Sequence, residues 1–244
     1  MIKLRFVIGL LLIPALLLCQ ENTDVQLRMI PSVSYKFTKK WEVVATYRYD
    51  LRNDIQEFKS SMVQGEIRYS ISKKFRLETG YRFRTSFEND QHRIFGGLRF
   101  DQEIIDGLKI FLATKYQFST GSFDKEYMAV FNRPNHVLRE DLSFEYTIPK
   151  TKLSVNVGTE FFIKQNNDNK DWELNRIRSS FGIDNKFKYG NSAGIGVFYD
   201  DRTKPNKDDR IVLVVKYNLS IDDLIKKIKK EKRQKEEKNK PHEM

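Results

Sequence analysis

Polar and apolar residues alternate along most of the chain, and this period of two constrains the fold more than any other feature. Residues 75–84 read FRLETGYRFR, in which the odd positions are apolar or aromatic except Thr79, and the even positions are charged except Gly80. A β-strand places successive side chains on opposite faces. The segment therefore predicts a strand with one aromatic, apolar face and one ionic face.

The same alternation recurs in about eleven segments, commonly about nine to thirteen residues long, whose connections alternate between short and long. A tilted strand needs about 9–11 residues to cross a bilayer, whereas strands of soluble proteins average about 5–6. Short turns at one end and long polar loops at the other are typical of transmembrane barrels. We therefore predict an all-β fold, a transmembrane antiparallel up-and-down β-barrel with short periplasmic turns and long extracellular loops.

The number of strands is less constrained by the pattern. Bacterial single-chain barrels have even counts, so we predict 12 strands, with 10 as the alternative. A count of 12 requires that 25–37 be two short strands divided at Pro31, or that 122–131 be partly a strand; a count of 10 leaves a weak segment outside the barrel. The stretches 51–61 and 86–91, which are polar, are expected to be long loops.

The first residues have the features of an export signal. Lys3 and Arg5 precede the apolar run FVIGLLLIPALLLC, and polar sequence follows. This order is typical of a signal peptide, which we place at 1–19. The only cysteine of the chain is Cys19, so no intramolecular disulfide can form. Lipidation of Cys19 is the alternative, although the preceding leucines lack the small residue usual before a lipidated cysteine.

The mature chain divides into two parts. The alternating pattern predicts an outer-membrane β-barrel over 20–220, and the remaining residues 221–244 form a Lys/Glu-rich tail that we expect in the periplasm. The tail has one short apolar stripe, which predicts that it begins as a short helix. A solvated tail and a tail that docks on a partner or on anionic lipid both fit this composition.

The net charge of +11 and the 32% of charged residues narrow the classes of function. An α-helical membrane bundle is excluded by so many charges. Nucleic acid, the usual partner of a basic protein, is not predicted because the chain carries an export signal. The expected partners are outer-membrane lipid and small anionic solutes, and the sequence does not indicate an oligomeric state.

Most charges of the predicted strands share one parity, which in a barrel faces the lumen. The predicted lumen cations are Arg48, Arg68, Arg76, Arg82, Arg84, Arg93, Arg99, Lys109, Lys115, Arg139, Arg176, Arg178, Lys186, Arg210 and Lys216. The predicted lumen anions are Glu42, Glu66, Glu78, Asp101, Asp141, Glu145, Glu160 and Asp184. Two outcomes compete: the side chains interlock and close the barrel, or water fills a narrow pore whose excess of cations favours anionic solutes.

Aromatic residues on the apolar parity cluster near the ends of the segments, where the girdles of a membrane barrel lie. The predicted interfacial aromatics are Trp41, Tyr49, Tyr69, Phe75, Phe83, Phe100, Tyr146, Tyr199 and Tyr217. A soluble periplasmic β-sandwich or a lipocalin-like binder would use the same alternation with its apolar faces turned inward. That arrangement is the soluble alternative.

Several motifs of the chain resemble a known family. They are W-x-x-x-x-x-Y-R at Trp41–Arg48, GYRFR at Gly80–Arg84, LREDLSFEY, and NRIRSSFGIDNKF followed by GVFYDDR. Together they are similar to the domain-of-unknown-function family 2490 (DUF2490), small bacterial outer-membrane proteins, over about residues 25–219. The resemblance implies an outer-membrane barrel and brings no activity or site residues with it.

No enzyme activity is predicted, because the candidate catalytic groups lack a supporting motif. His92 and His136 lie near strand starts on the long-loop side, where either could meet a serine such as Ser86 or Ser119. A nucleophile motif such as G-x-S-x-G is missing. A hydrolase with its site in these loops therefore stays the alternative function.

Carboxylates and histidines likewise predict neither a metal nor a cofactor. The acidic loops 167–171 and 200–209 lack the ligand spacing of a calcium loop. Glu145 and Glu160 fall on neighbouring predicted strands, where a catalytic carboxylate pair is conceivable. The arginines on the same parity favour a ladder of salt bridges instead.

Overall fold

The computed structural model describes residues 24–87, 89–121, 134–166, 170–187, 190–203, 209–222 and 225. The predicted signal peptide at 1–19, Cys19, the segment 122–131 and most of the tail 221–244 lie outside these residues. Among the described residues, no helix has the length and apolarity needed to cross a bilayer.

Eleven β-strands make up the described part of the chain. They are β1 (Asp24–Lys36), β2 (Trp41–Arg52), β3 (Glu57–Ser70), β4 (Phe75–Thr85), β5 (Asp90–Ile105), β6 (Leu108–Thr120), β7 (Asn135–Thr147), β8 (Leu153–Gln165), β9 (Trp172–Lys186), β10 (Ser192–Asp201) and β11 (Arg210–Ser220). Each strand pairs with its sequence neighbours, and β1 also pairs with β11, so the sheet closes on itself.

The described barrel therefore has 11 strands, and the predicted counts of 12 and 10 are wrong. An even count requires that the first and last strands run in opposite directions. Here β1 and β11 run in the same direction and join in a parallel ladder from Asp24↔Arg210 to Ser34↔Ser220. The remaining ten pairings are antiparallel. Since a parallel pair can close the sheet, the chain does not need a twelfth strand.

Pro31 does not divide the first segment, contrary to one of the predicted routes to 12 strands. It lies inside β1, level with Tyr217 of β11. The register of β1 with β2 is the same before and after Pro31, with Met29↔Tyr49 on one side and Ser32↔Thr46 on the other. Proline removes one donor from the ladder without interrupting the strand.

The connections at one end of the barrel are not the same length as those at the other. Two of the predicted long loops are shorter than the sequence indicated. At one end the strands join through 37–40, 71–74, 106–107, 148–152 and 187–191, and at the other through 53–56, 86–89, 121–134, 166–171 and 202–209. Residues 51–61 and 86–91 were expected to be long loops, but β2, β3 and β5 extend into them. Within these stretches Ser60 is buried, and Lys59 and Gln91 line the lumen.

The apolar parity of the strands forms the outer wall. Val63, Ile94 and Ile195 are 58%, 48% and 64% exposed, and the buried residues of the same strands include Glu66 and Asp200. Monomeric soluble proteins rarely expose an apolar surface this extensive. The soluble alternative required apolar faces that meet in a dry interior, and this arrangement overturns it.

Candidate functional site

The lumen contains a cavity of about 280 Å³ near the end with the longer connections, and its lining is strongly cationic. Among the residues that the structure describes, nine arginines and one lysine line it, with Asp50 as the single carboxylate. The lining cations are Arg28, Arg48, Lys59, Arg82, Arg84, Arg93, Arg139, Arg176, Arg178 and Arg210. The strand period brings them together, because alternate residues of neighbouring strands all point to the axis.

Asp50 neutralises part of one wall. It lies level with Arg28 of β1 and Ser60 of β3. Arg28 Nε donates to Asp50 Oδ1 at 2.7 Å, Arg48 Nε lies 3.0 Å from Oδ2, and Ser60 Oγ donates to Oδ2 at 3.1 Å. This buried carboxylate therefore serves two arginines.

Asp200, on β10, holds three arginines on a neighbouring part of the cavity wall. Its side chain is fully buried, and it lies level with Arg178 of β9 and Arg210 of β11. Arg178 donates Nε to Oδ1 at 2.6 Å and Nη2 to Oδ2 at 3.1 Å, while Arg210 donates Nε to Oδ2 at 2.7 Å. The third arginine, Arg176, approaches Oδ2 to 3.5 Å. Such a carboxylate is stabilised only because the cations around it are hydrogen-bonded to it.

Glu160 is the third carboxylate of this region. It accepts from Arg139 Nη2 at 2.6 Å and from Arg178 Nη1 at 3.4 Å. Together with Asp50 and Asp200 it forms an upper network of three carboxylates, which face the ten cations of the lining. Among the described residues, the cavity therefore carries a large positive excess.

Two aromatic rings support the guanidinium groups of the upper network. Arg176 lies 3.7 Å above the ring centroid of Phe162, and Arg178 lies 3.9 Å above that of Phe198. Arg28 lies 4.9 Å from the Phe198 ring on the same lumen face. Stacking of this kind fixes the guanidinium plane and leaves its edge available for hydrogen bonds.

A second, better balanced network lies nearer the short-turn end. Glu78 is buried and lies close to Lys115 at 2.5 Å and to Arg76 at 3.4 Å. Arg68 pairs with Glu66, and its Nη1 lies 3.5 Å from Glu42. In this lower network the carboxylates and the cations occur in similar numbers, so the positive excess of the lumen is concentrated in the upper cavity.

The structure places the predicted lumen charges in three groups. Arg48, Arg82, Arg84, Arg93, Arg139, Arg176, Arg178 and Arg210 line the cavity. Arg68, Arg76 and Arg99 pair with carboxylates of the lower half. Asp184 pairs with Lys216 at 2.9 Å and Glu145 with Lys186 at 3.1 Å.

Glu145 and Glu160 do not form the catalytic pair considered above. The register sets Glu145 level with Asn156, whereas Glu160 lies level with Asp141. Glu145 pairs with Lys186 and Glu160 with Arg139. Each carboxylate therefore takes part in its own salt bridge.

The sequence interpretation missed several lumen residues, among them Arg28, Asp50, Lys59, Asp200, Phe162 and Phe198. Asp50 fell just beyond the predicted strand segment 41–49, and Asp200 was assigned to the polar loop 200–209, although each continues the lumen-facing parity of its strand by one more step. Arg28 precedes Pro31 in a segment whose alternation is interrupted. Phe162 and Phe198 are aromatic residues on the ionic parity, and that exception to the pattern was the available signal.

The two strand histidines lie on the outer wall instead of in a loop site. His92 Nδ1 is 2.6 Å from the Tyr81 hydroxyl, and His136 Nδ1 is 2.5 Å from the Tyr116 hydroxyl. Ser119 faces the opposite side of β6, where it accepts from Arg93 Nε at 2.7 Å. The hydrolase alternative placed His92 or His136 beside a serine such as Ser119, and the barrel wall separates them from that residue.

The predicted interfacial aromatics lie at both ends of the barrel. Near the short turns, Trp41 packs on Tyr69 at 4.6 Å and Phe75 on Phe100 at 5.1 Å between ring centroids. Tyr146 and Tyr217 are also exposed on the outer wall, at the same short-turn end of the barrel.

At the opposite end of the barrel, Tyr49 packs on Phe58 at 5.4 Å, and Phe83 lies 5.2 Å from the ring of His92. Tyr199 belongs to β10 near that end. Within the described residues, no group of histidine, cysteine, aspartate and glutamate is arranged to hold a metal ion.

Comparison with known sequences identifies a family. The sequence model of the family described as "Protein of unknown function (DUF2490)" matches residues 28–211. No curated protein matches the chain.

Several solved structures are similar in architecture. The NanC porin is 16% identical, with 77% of this chain and 93% of that chain covered, and a TM-score of 0.49. The KdgM porin is 14% identical, with 73% and 91% covered and a TM-score of 0.44. The beta domain of the Bordetella autotransporter BrkA is 13% identical, with 73% and 82% covered and a TM-score of 0.45.

Proposed function

Given that this chain belongs to the DUF2490 family, we propose that it is an outer-membrane β-barrel protein whose cation-rich lumen forms a narrow pore that favours anionic solutes. It would reach the outer membrane through the signal peptide predicted at 1–19. Its short turns would face the periplasm and its longer connections the outside. The role proposed is passage of solutes and not catalysis.

The outer wall supports the membrane location. Apolar side chains are exposed around the barrel, and aromatic residues lie near both ends of the strands. A closed barrel leaves no unpaired strand edge, which the hydrocarbon core of a bilayer requires. The wall is therefore suited to contact with lipid tails.

The cavity lining is the observation that carries the proposed selectivity. Its ten cations face three carboxylates among the described residues. Charges that line a pore with low-dielectric walls create a potential that attracts the opposite ion and repels the like ion. Small anions would accordingly enter this lumen more readily than cations.

Recording in planar lipid bilayers tests this function. Folded protein, verified by its heat-dependent migration on gels, is added to a bilayer with different KCl concentrations on the two sides. We expect discrete conductance steps and a reversal potential of the sign given by selective chloride flow. A reversal potential of the opposite sign would contradict the electrostatic argument.

A closed barrel with a structural role is the second candidate, and the lower network favours it. The carboxylates Glu42, Glu66 and Glu78 interlock with Arg68, Arg76 and Lys115 across neighbouring strands. Such interlocked side chains can fill the lumen of a small barrel. Electrical silence of correctly folded protein would select this candidate and reject the pore.

A further inference from the structure

Strands β4 and β5 place two arginines directly opposite each other on the lumen face. Arg82 and Arg93 are register partners, and both line the cavity. Side chains in this relation lie about 4.5–5.5 Å apart at Cβ, and like charges there are destabilising. A guanidinium group keeps its charge at any physiological pH. The pair therefore needs negative charge nearby.

The same two strands contain a second arginine pair, whose positive charge is neutralised by nearby carboxylates. Arg76 and Arg99 are also register partners, and Asp101 lies between them. Arg99 Nε donates to Asp101 Oδ1 at 2.6 Å, and Arg76 Nη2 donates to Oδ2 at 3.2 Å. Glu78 approaches Arg76 as well. This lower pair is thus neutralised within the protein.

The upper pair has only neutral acceptors among the described residues. Arg82 Nε donates to Gln64 at 2.8 Å, while Arg93 donates to Ser119, to Gln117 at 3.0 Å and to Gln91 at 3.3 Å. Amide and hydroxyl oxygens orient a guanidinium group without cancelling its charge. The positive charge of this wall therefore persists in the cavity.

Arg84 adds a third cation to the same wall. It lies level with Gln91 of β5 and Met62 of β3, and it lines the cavity. Its Nε–H is buried and has no hydrogen-bond partner within the described part of the chain. A buried donor without a partner costs about 1–3 kcal/mol. We call Arg82, Arg84 and Arg93 the β4–β5 arginine cluster.

We propose that the β4–β5 arginine cluster is a binding site for a small solute with several anionic oxygens, of the carboxylate or phosphate class. Such a solute supplies the charge that Asp101 supplies to the lower pair, and Arg84 adds a third guanidinium group that lines the same cavity. A cavity of about 280 Å³ lies just below the range for drug-sized ligand sites, about 300–1,000 Å³, and so suits a small solute. The site deepens the proposed function, because it rests on a lumen that admits anions.

Calorimetric titration of the folded protein in detergent at low ionic strength tests the site. The probes are citrate and pyrophosphate, with sucrose and spermidine as neutral and cationic controls. We expect saturable binding of at least one anion. The anion with the higher affinity shows whether the site prefers carboxylate or phosphate oxygens. Heat from neither anion, or equal heat from the neutral control, would overturn the proposal.

Two arginine variants distinguish binding at the β4–β5 arginine cluster from attraction by the overall positive charge of the lumen. Arg84→Gln is expected to weaken binding about tenfold to a hundredfold, the effect of losing one charge-assisted hydrogen bond. Arg99→Gln removes the same charge from the same strand pair, where Asp101 already neutralises it, and is expected to change affinity less than about threefold. Equal losses in both variants would show that only overall charge matters and would reject the site. If Arg84→Gln does not fold, Arg84→Lys takes its place in the titration, because lysine keeps the positive charge but lacks the guanidinium group.

The outcome of this titration does not depend on conductance. Saturable binding by a protein that is silent in bilayers would reject the pore and keep the site. Anion-selective conductance by a protein that binds neither probe would keep the pore and reject the site. The two proposals therefore fail separately.

Discussion

Replacement of Asp200 by asparagine should destabilise the barrel strongly. The Asp200 carboxylate is fully buried and is contacted by Arg176, Arg178 and Arg210, at distances down to 2.6 Å. Asparagine has nearly the same shape but no negative charge, and its amide group would point donors at donors. Breaking a buried ion pair from one side costs about 3–5 kcal/mol, so we expect the free energy of unfolding to fall by about that amount.

The matched control is Asp101→Asn in the lower half of the same lumen. Asp101 also bridges two arginines, Arg76 and Arg99, but its side chain is 31% exposed. Partly exposed pairs are screened by water, and they contribute about 0–1 kcal/mol. We therefore expect Asp101→Asn to be several-fold milder than Asp200→Asn.

Urea unfolding from lipid vesicles, followed by the fluorescence of the two tryptophans, measures both effects. Relative to Asp200→Asn, the double variant Asp200→Asn/Arg210→Gln should regain about 1–3 kcal/mol of the free energy of unfolding. The second substitution removes one of the three arginines that the loss of the Asp200 carboxylate leaves unneutralised. Equal destabilisation by Asp200→Asn and Asp101→Asn would refute the reasoning, since burial would then make no difference to the ion pairs.

Packing and closure give further predictions. A Cβ at Gly80 would overlap the backbone oxygen of Gly65, so Gly80→Ala should lower the free energy of unfolding by about 1–3 kcal/mol in the urea assay. Gly65→Ala, where a Cβ meets nothing within 4 Å, should cost less than about 0.5 kcal/mol, and equal losses would contradict this packing. Cysteines at Met29 and Val215, register partners on the outer wall of the β1–β11 seam, should oxidise to a cyclic species with altered gel migration in a background without Cys19. Failure to cross-link in folded protein would argue against the parallel closure.

The sequence predicted the faces of the strands better than their ends. FRLETGYRFR became β4, Phe75–Thr85, with Leu77 and Tyr81 exposed and Glu78 buried, because alternation survives wherever one face meets lipid and the other the lumen. Asp200 was placed in a loop, and Asp50 was left beyond the end of its strand, because polar residues near a strand end have the composition of a turn. In a barrel with a polar interior, composition cannot separate a lumen-facing residue from a loop residue.

Closure and pairing could not be predicted from local pattern. The parallel contact of β1 with β11 joins residues such as Asp24 and Arg210 that are far apart in sequence. The neutral surroundings of Arg82 and Arg93, and the acidic surroundings of Arg76 and Arg99, follow from the register of β4 with its neighbours. Register is a property of the assembled sheet, so a single strand carries little information about it.

Fluorescence quenching by lipid tails at two adjacent residues of β3 tests which face of the strands contacts the membrane. Val63 is exposed on the outer wall, whereas the Gln64 side chain accepts from Arg82 inside the lumen. Each is replaced by cysteine, labelled with a small fluorophore and placed in vesicles with brominated lipid tails. If the apolar stripe faces lipid, quenching is strong at residue 63 and weak at residue 64. Strong quenching at residue 64 with little at residue 63 would mean that the charged stripe faces lipid, and the proposed polar lumen would be wrong.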